Sequence, residues 1–316
     1  DLYLSAEGVT DTATDGQVSI NSPQSLGMMS GDYMPLDADP RKAQMPGDQR
    51  GEDAGALCFD LPVKGKPFDI IGTCLAEFEV STDAGNGLLA VRLCDVSPNG
   101  SSTLITYGVM NIAQRNGREV QADVRPGTPY NLTLVLNDIA HRILPGHHLR
   151  IAVSNAMFPM AWPMAENHTL TLHLSGCKLR VPNADLTESD ASRAVFQQPR
   201  IAQASPVEVI QSNQPSRVIK DDLSNGTRTL TLREDFGTYY LSSADVTVTG
   251  FSQDRFAIND VDVTSARAEY TFRMGYAREG WDVATEGHMV MTCDAQTFFL
   301  RGELRAYEDG QEIYNR

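Results

Sequence analysis

Three of the six histidines crowd one turn, in the run HRILPGHH from His141 to His148, directly after Asn137-Asp138. Imidazole and carboxylate are the ligand types that zinc takes, so His141, His147 and Asp138 can converge on a metal if the turn folds back. The run has neither His-x-His nor HExxH spacing, which would hold two ligands on one face. It reads more simply as a plain Pro-Gly turn with its rings in solvent or packed on neighbours, and no metal or cofactor is assigned. A second unusual run is SNAMFPMAWP, residues 154–163, in which two prolines hold two aromatics and two methionines. Such a loop is stiff and apolar. It can present a hydrophobic wall to a ligand or partner domain, or it can plug the open end of its own fold. Adjacent carboxylates at Glu52-Asp53 and Asp221-Asp222 do not make a catalytic dyad, because neighbours on a strand point to opposite faces.

The motifs of common chemistries are missing. No Gly-x-Ser-x-Gly elbow exposes a nucleophilic serine, and neither GxGxxG nor GxxxxGK[ST] offers a phosphate cradle. The chain itself is therefore expected to be inactive. A formal charge of −15, from 41 acidic and 26 basic residues among 316, repels phosphate backbones and anionic lipid, so neither nucleic acid nor a membrane surface is an expected partner. No segment approaches the ~20 consecutive apolar residues of a spanning helix. The five cysteines, Cys58, Cys74, Cys94, Cys177 and Cys293, are widely spaced with no CxxC and read as reduced core residues. With no signal-like start at Asp1–Thr10, a cytoplasmic location is favoured, and a chain beginning at Asp1 fits a piece of a longer polypeptide.

These runs must be positioned by strands. Ala76, Phe78 and Val80 alternate with Leu75, Glu77 and Glu79; Leu89, Val91 and Leu93, then Tyr130, Leu132, Leu134 and Leu136, then Leu149, Ile151 and Val153, and finally Leu170, Leu172 and Leu174 keep the same period of two. Ser97-Pro98-Asn99-Gly100 predicts a hairpin turn, and Pro145-Gly146 a second turn. Seven or eight strands between Leu57 and Val181 predict an antiparallel β-sandwich of jelly-roll type. Residues 1–54 are punctuated too often by Gly and Pro for long elements and predict an irregular segment leaning on something else. The sandwich is placed at 55–182. A polar stretch with one weak helix candidate, Asp190 to Phe196, opens a second antiparallel β-rich lobe at 183–316. There Ala266, Ala268, Tyr270, Phe272 and Met274 face away from Arg267, Glu269, Thr271 and Arg273, and Phe298, Leu300 and Leu304 oppose Phe299, Arg301, Glu303 and Arg305. One side is dry and the other wet, as in a sheet covering a core.

The motifs DQRGED (48–53) and CFD (58–60), VRLCDVSPNGSSTLITYGVMNIAQR (91–115) and LNDIAHRILPGHHLRIAVSNAMFPMAWP (136–163) together resemble the C-terminal, non-catalytic domain of the CocE/NonD hydrolases. That group includes X-Pro dipeptidyl-peptidases, cocaine esterase and α-amino-acid ester hydrolases. The stretches 266–283 and 298–310 resemble the β-rich tail of longer members. The resemblance implies a galactose-binding-like jelly roll packed on an upstream α/β-hydrolase domain of the same polypeptide, which holds the Ser-His-Asp triad and acts on a small acyl ester or peptide. No catalytic residue carries over to this chain. It also implies that the β-domain helps to wall the substrate pocket, which makes Asn155, Phe158 and Trp162 the candidate pocket or interface residues. A carbohydrate-binding module is the alternative that the fold class permits, with only Trp162 and Trp281 as sugar platforms. An independent metal enzyme at the histidine turn is the third reading.

Overall fold

A computed structural model describes residues 1–32, 44–183, 196–202 and 206–316. The helix candidate at 190–196 falls almost wholly outside these residues. The fold is all-β with antiparallel sheets, and its contacts divide it into two units.

The first unit opens with β1 (Leu2–Ser5), β2 (Gly8–Thr10) and β3 (Gln17–Ile20). After a one-turn helix, α1 (Arg50–Asp53), come β4 (Leu57–Pro62), β5 (Phe68–Gly72), β6 (Leu75–Thr82), β7 (Leu88–Val96) and β8 (Ser102–Asn111). Then follow β9 (Tyr130–Val135), β10 (Ile139–Ile143), β11 (His148–Ser154), β12 (Leu170–His173) and β13 (Lys178–Arg180). One sheet runs β2-β1-β13-β6-β12-β3, with β9 on the other side of β6, and a second runs β4-β11-β7-β8. The alternation explains how they meet. Phe78 and Val80, Leu132 and Leu134, and Leu170 and Leu172 from the first sheet share a single buried cluster with Leu89, Val91 and Leu93 and with Leu149, Ile151 and Val153 from the second. Apolar positions two apart fall on one face, so the two dry faces close on each other.

Three features differ from expectation. Residues 1–54 are not uniformly irregular: β1, β2 and β3 complete the first sheet, because short strands can pair at positions that Gly and Pro only punctuate. Between Leu57 and Val181 there are ten strands, not seven or eight; the extra pair is β5 with β10, whose polar and charged residues hide the period. Three cysteines are buried, but Cys58 is exposed and Cys293 half-buried. The turn at Ser97–Ser101 does join β7 to β8 as a hairpin, with the Ser97 N–H donating to the Ser101 carbonyl.

The second unit holds β14 (Val207–Gln211), β15 (Ser216–Asp222), β16 (Thr227–Leu241), β17 (Val246–Asn259), β18 (Asp262–Arg278), β19 (Trp281–Cys293), β20 (Phe298–Glu308) and β21 (Gln311–Asn315), while the hairpin tip Asn259–Thr264 groups with the first unit. These strands form one meander, β16 to β21 in sequence order, with β14 and β15 both on β16. On its dry side, among the described residues, Ala266 and Ala268 are buried while Phe272, Met289, Leu300 and Leu304 are exposed. On its wet side Glu269 pairs with His288 and Arg273 with Glu286 across strands. No described helix is long and apolar enough to cross a membrane.

Ile151, fully buried at the centre of β11, tests the shared core. Ile151→Ala is expected to cost about 2–5 kcal/mol in urea unfolding, whereas Val135→Ala at an exposed β9 position stays within about 0.5 kcal/mol.

Candidate functional site

The outer face of the β4-β11-β7-β8 sheet, opposite the core, carries a second layer. In β7 every residue from Leu88 to Cys94 is buried, so both faces of that strand are covered, one by the core and one by this layer. The layer is made of residues 22–30, the turn around α1, and the loop after β11.

Its anchor is ionic. Arg92 points out of β7 and is among the largest fully buried side chains. Its Nη1 donates to Gln49 Oε1 at 2.9 Å and lies 3.1 Å from Asp53 Oδ1. Asp53 Oδ2 accepts from Arg150 Nη1 of β11 at 3.2 Å and from the Ser102 hydroxyl of β8 at 2.7 Å. Arg150 closes a two-pronged pair on Asp60 of β4, with Nε and Nη2 each 2.7 Å from a carboxylate oxygen, and this bonding holds its guanidinium pKa above the ordinary arginine value. Three strands thus converge on one acid of a one-turn helix, and a fourth, β4, joins them through the Asp60–Arg150 pair. Arg92 Nε and Nη2 have no hydrogen-bond partner among the described residues, so the Arg92 charge depends heavily on Gln49 and Asp53 for compensation.

From α1 the bonding runs outward to the loop. Gln49 Nε2 donates to the Met29 and Gly47 carbonyls. Glu52, also buried, accepts the Gly27 N–H at 2.5 Å and the Met29 N–H at 2.9 Å. Gly27 has φ +117°, and a Cβ there would lie 2.6 Å from the Met157 carbonyl carbon, so only glycine lets the two backbones meet. The Phe158 N–H donates to the Leu26 carbonyl at 2.7 Å across this contact.

Asn155 and Phe158 are buried, and Trp162 is half-buried. Asn155 Oδ1 accepts the Ser22 N–H at 2.7 Å, and its Nδ2 donates to the His168 carbonyl at 2.6 Å. Phe158, which precedes a cis proline, meets Trp162 edge to face at 5.8 Å. The structure therefore brings the three together, with Asn155 and Phe158 in the base of the loop and Pro159 to Pro163 at its accessible rim. Beneath it, His168 Nε2 accepts the Leu88 N–H at 3.2 Å, which assigns the ring proton to Nδ1, and burial pushes its pKa below the ordinary 6.5.

The histidine turn assembles differently from the grouping with Asp138. His141 Nε2 and His147 Nδ1 take one oxygen each of Asp95, at 3.0 and 2.7 Å, while Asp138 bonds to the Thr73 hydroxyl. The reason is topological: β10 pairs with β5 and β11 with β4 and β7, so the turn brings its rings to β7 rather than back on itself. Among the described residues no group of three or more His, Cys, Asp and Glu is arranged to hold a metal. Sequence reasoning missed Asp53, Arg92 and Arg150 as the anchor. A signal was present, since each arginine interrupts an apolar run, LLAVRLCDV and HLRIAVS.

Residues 1–204 match the family of X-Pro dipeptidyl-peptidase C-terminal non-catalytic domains, and the chain belongs to that family. It is 26% identical over 172 residues, half of this chain, to cocaine esterase from a Rhodococcus species, of which it spans 30%. Solved structures similar to it include an aminopeptidase from a marine sediment archaeon (Thaumarchaeota), at 16% identity and TM-score 0.48, covering 57% of this chain and 36% of that one. An α-amino-acid ester hydrolase matches at 18% identity and TM-score 0.49, over 58% and 36%. Strands β14 to β21 lie beyond the family match.

Removing one partner of the buried ion group strands the others. Asp53→Ala is expected to cost about 3–5 kcal/mol in urea unfolding, while Arg50→Ala, whose pair with Asp48 is exposed, costs no more than about 1 kcal/mol. His168 gives a pH test. Because its pKa is lower folded than unfolded, its contribution is complete above pH 6.5 and lost as the pH falls from there through the folded value. His168→Gln should flatten the fall in Tm over that window, and an unchanged slope would contradict the assignment.

Proposed function

We propose that the first unit is a galactose-binding-like jelly roll, with its sandwich at 55–182, that docks on an α/β-hydrolase domain lying outside this chain. In this reading the 1–54 segment supplies sheet edges and part of the docking layer, and 183–316 is a separate lobe. The proposed reaction of the whole polypeptide is serine hydrolysis of a small acyl ester or an X-Pro peptide, with the nucleophile and base on the docked domain. The role of this chain is to wall the substrate pocket.

What supports the reading is the build of the 154–163 loop: a base fixed by Asn155, Phe158 and the ion-anchored α1 turn, and a half-buried rim ending at Trp162. A pocket wall needs that combination, because an aromatic surface held in one place loses little conformational entropy when substrate packs on it. Asn155 and Phe158 then act as positioning residues, and Trp162 is the one that meets ligand or partner.

The test uses the polypeptide with its upstream coding region. That region should encode a Gly-x-Ser-x-Gly segment, and Trp162→Ala should raise KM for ester or X-Pro substrates about tenfold, a loss of about 1.4 kcal/mol, with kcat little changed. An upstream region without such a segment, or kinetics untouched by Trp162→Ala, would overturn the proposal. Saturable binding of a sugar that Trp162→Ala abolishes would replace it with a carbohydrate-binding module.

A further inference from the structure

Buried backbone N–H groups need acceptors, and in the strip from Ser22 to Met29 most find them nearby. The Ser22 N–H goes to Asn155, the Leu26 N–H to the Pro23 carbonyl at 3.0 Å, and the Gly27 and Met29 N–H groups to Glu52. Gln24 and Ser25 are buried as well, and both turn to one distant residue. The Gln24 N–H donates to the Asp260 carbonyl at 3.3 Å and the Ser25 N–H to Asp260 Oδ1 at 3.1 Å. Asp260 lies at the tip of the β17–β18 hairpin, in the part that groups with the first unit. The tip is shaped locally. The Val261 N–H donates to Asn259 Oδ1 at 3.0 Å, and the Thr264 N–H and hydroxyl donate to Asp262 Oδ1 at 3.0 and 2.7 Å, the side-chain turns that Asn and Asp favour. Ile258 and Val263 on either side are buried, while Val261 is exposed.

We infer that Asp260 is a positioning residue for the 154–163 loop. The path is short. Ser25 is followed by Leu26, whose carbonyl takes the Phe158 N–H at 2.7 Å, and then by Gly27, which packs on the Met157 backbone. In the other direction Gln24 Nε2 donates to the Ser22 carbonyl at 3.1 Å, and Ser22 exchanges hydrogen bonds with Asn155. The strip therefore meets the loop at both ends and is held at its middle by Asp260. Without the carboxylate, the buried Ser25 N–H loses its acceptor, and a strip that opens to water regains one. The family match covers residues 1–204, so this brace comes from a hairpin that follows it and gives the later strands a part in shaping the loop. Its consequence for substrate rests on the pocket-wall reading above.

Trp162 and Trp281 are the two tryptophans of the chain, so Trp281→Phe leaves Trp162 as the fluorescent reporter of the loop rim. In that background Asp260→Ala should raise acrylamide quenching of Trp162 about twofold and quicken hydrogen exchange of the Ser25 and Phe158 amides about tenfold, the net worth of one hydrogen bond. The β11 amides should stay protected. Asp260→Asn keeps an Oδ1 acceptor and should restore both readouts, whereas Asp260→Glu, a milder change that keeps the charge but displaces the oxygen, should move both in the same direction as alanine. Val261→Ala should move neither. In the polypeptide with its upstream region, Asp260→Ala should raise KM severalfold with kcat little changed. Quenching and Phe158 exchange untouched by both Asp260→Ala and Asp260→Glu, or no recovery in Asp260→Asn, would overturn the inference. A loosened loop with KM untouched would uphold the positioning by Asp260 and contradict the pocket-wall reading instead.

Discussion

A carboxylate taken out of water must be compensated where it lies, and Asp53 is compensated by groups from three strands at once. This requirement organises the first unit. Leaving any of the charges alone in the interior costs more than any single hydrophobic contact gives, so α1 has one position in which Asp53 reaches Arg92, Arg150 and Ser102 together. Once α1 is placed, Glu52 and Gln49 fix the backbone at residues 27–29, and that backbone fixes the start of the 154–163 loop through the Gly27 contact and the Leu26–Phe158 hydrogen bond. The loop's geometry is thus a consequence of an ion group on the far side of a layer. The loop rim inherits the rigidity of that group.

The same layer explains why the sheet it covers is so apolar. A strand with one wet face alternates; β7 instead reads LLAVRLCDV, with one arginine inside it. Both faces of β7 are dry, one against the shared core and one against the layer, and the arginine is tolerated because its acid arrives from α1. Buried thiols fit this picture. Burial pushes Cys94 and Cys177 up to about 12, which leaves them as small packing groups and not as nucleophiles.

How much was legible in the sequence follows from how local each signal is. The period-two runs at Ala76–Val80, Leu89–Leu93 and Leu149–Val153 are strands because alternation needs only the residues themselves. The all-β class and the family resemblance followed from such runs and from DQRGED. The anchor was not legible, because its partners are separated by 39 to 97 positions and meet only after two sheets have paired. The histidine turn shows the same limit: His141 and His147 were grouped with the nearest acid, Asp138, whereas the register of β11 on β7 hands them Asp95. In the second unit the dry and wet faces of β18 and β20 could be read directly, but whether anything covers the dry face is not a property of the strand.

Native-state hydrogen exchange on the full chain tests most directly the claim that an ion-anchored layer holds the loop. Backbone amides of Gly27, Met29, Asp53 and Phe158 are bonded to groups of that layer, so they should exchange together, with protection close to that of β7 and β11. If instead these four exchange at the rate of exposed turns while the sheet stays protected, the layer opens independently of the sheet and the loop is not held by the buried charges.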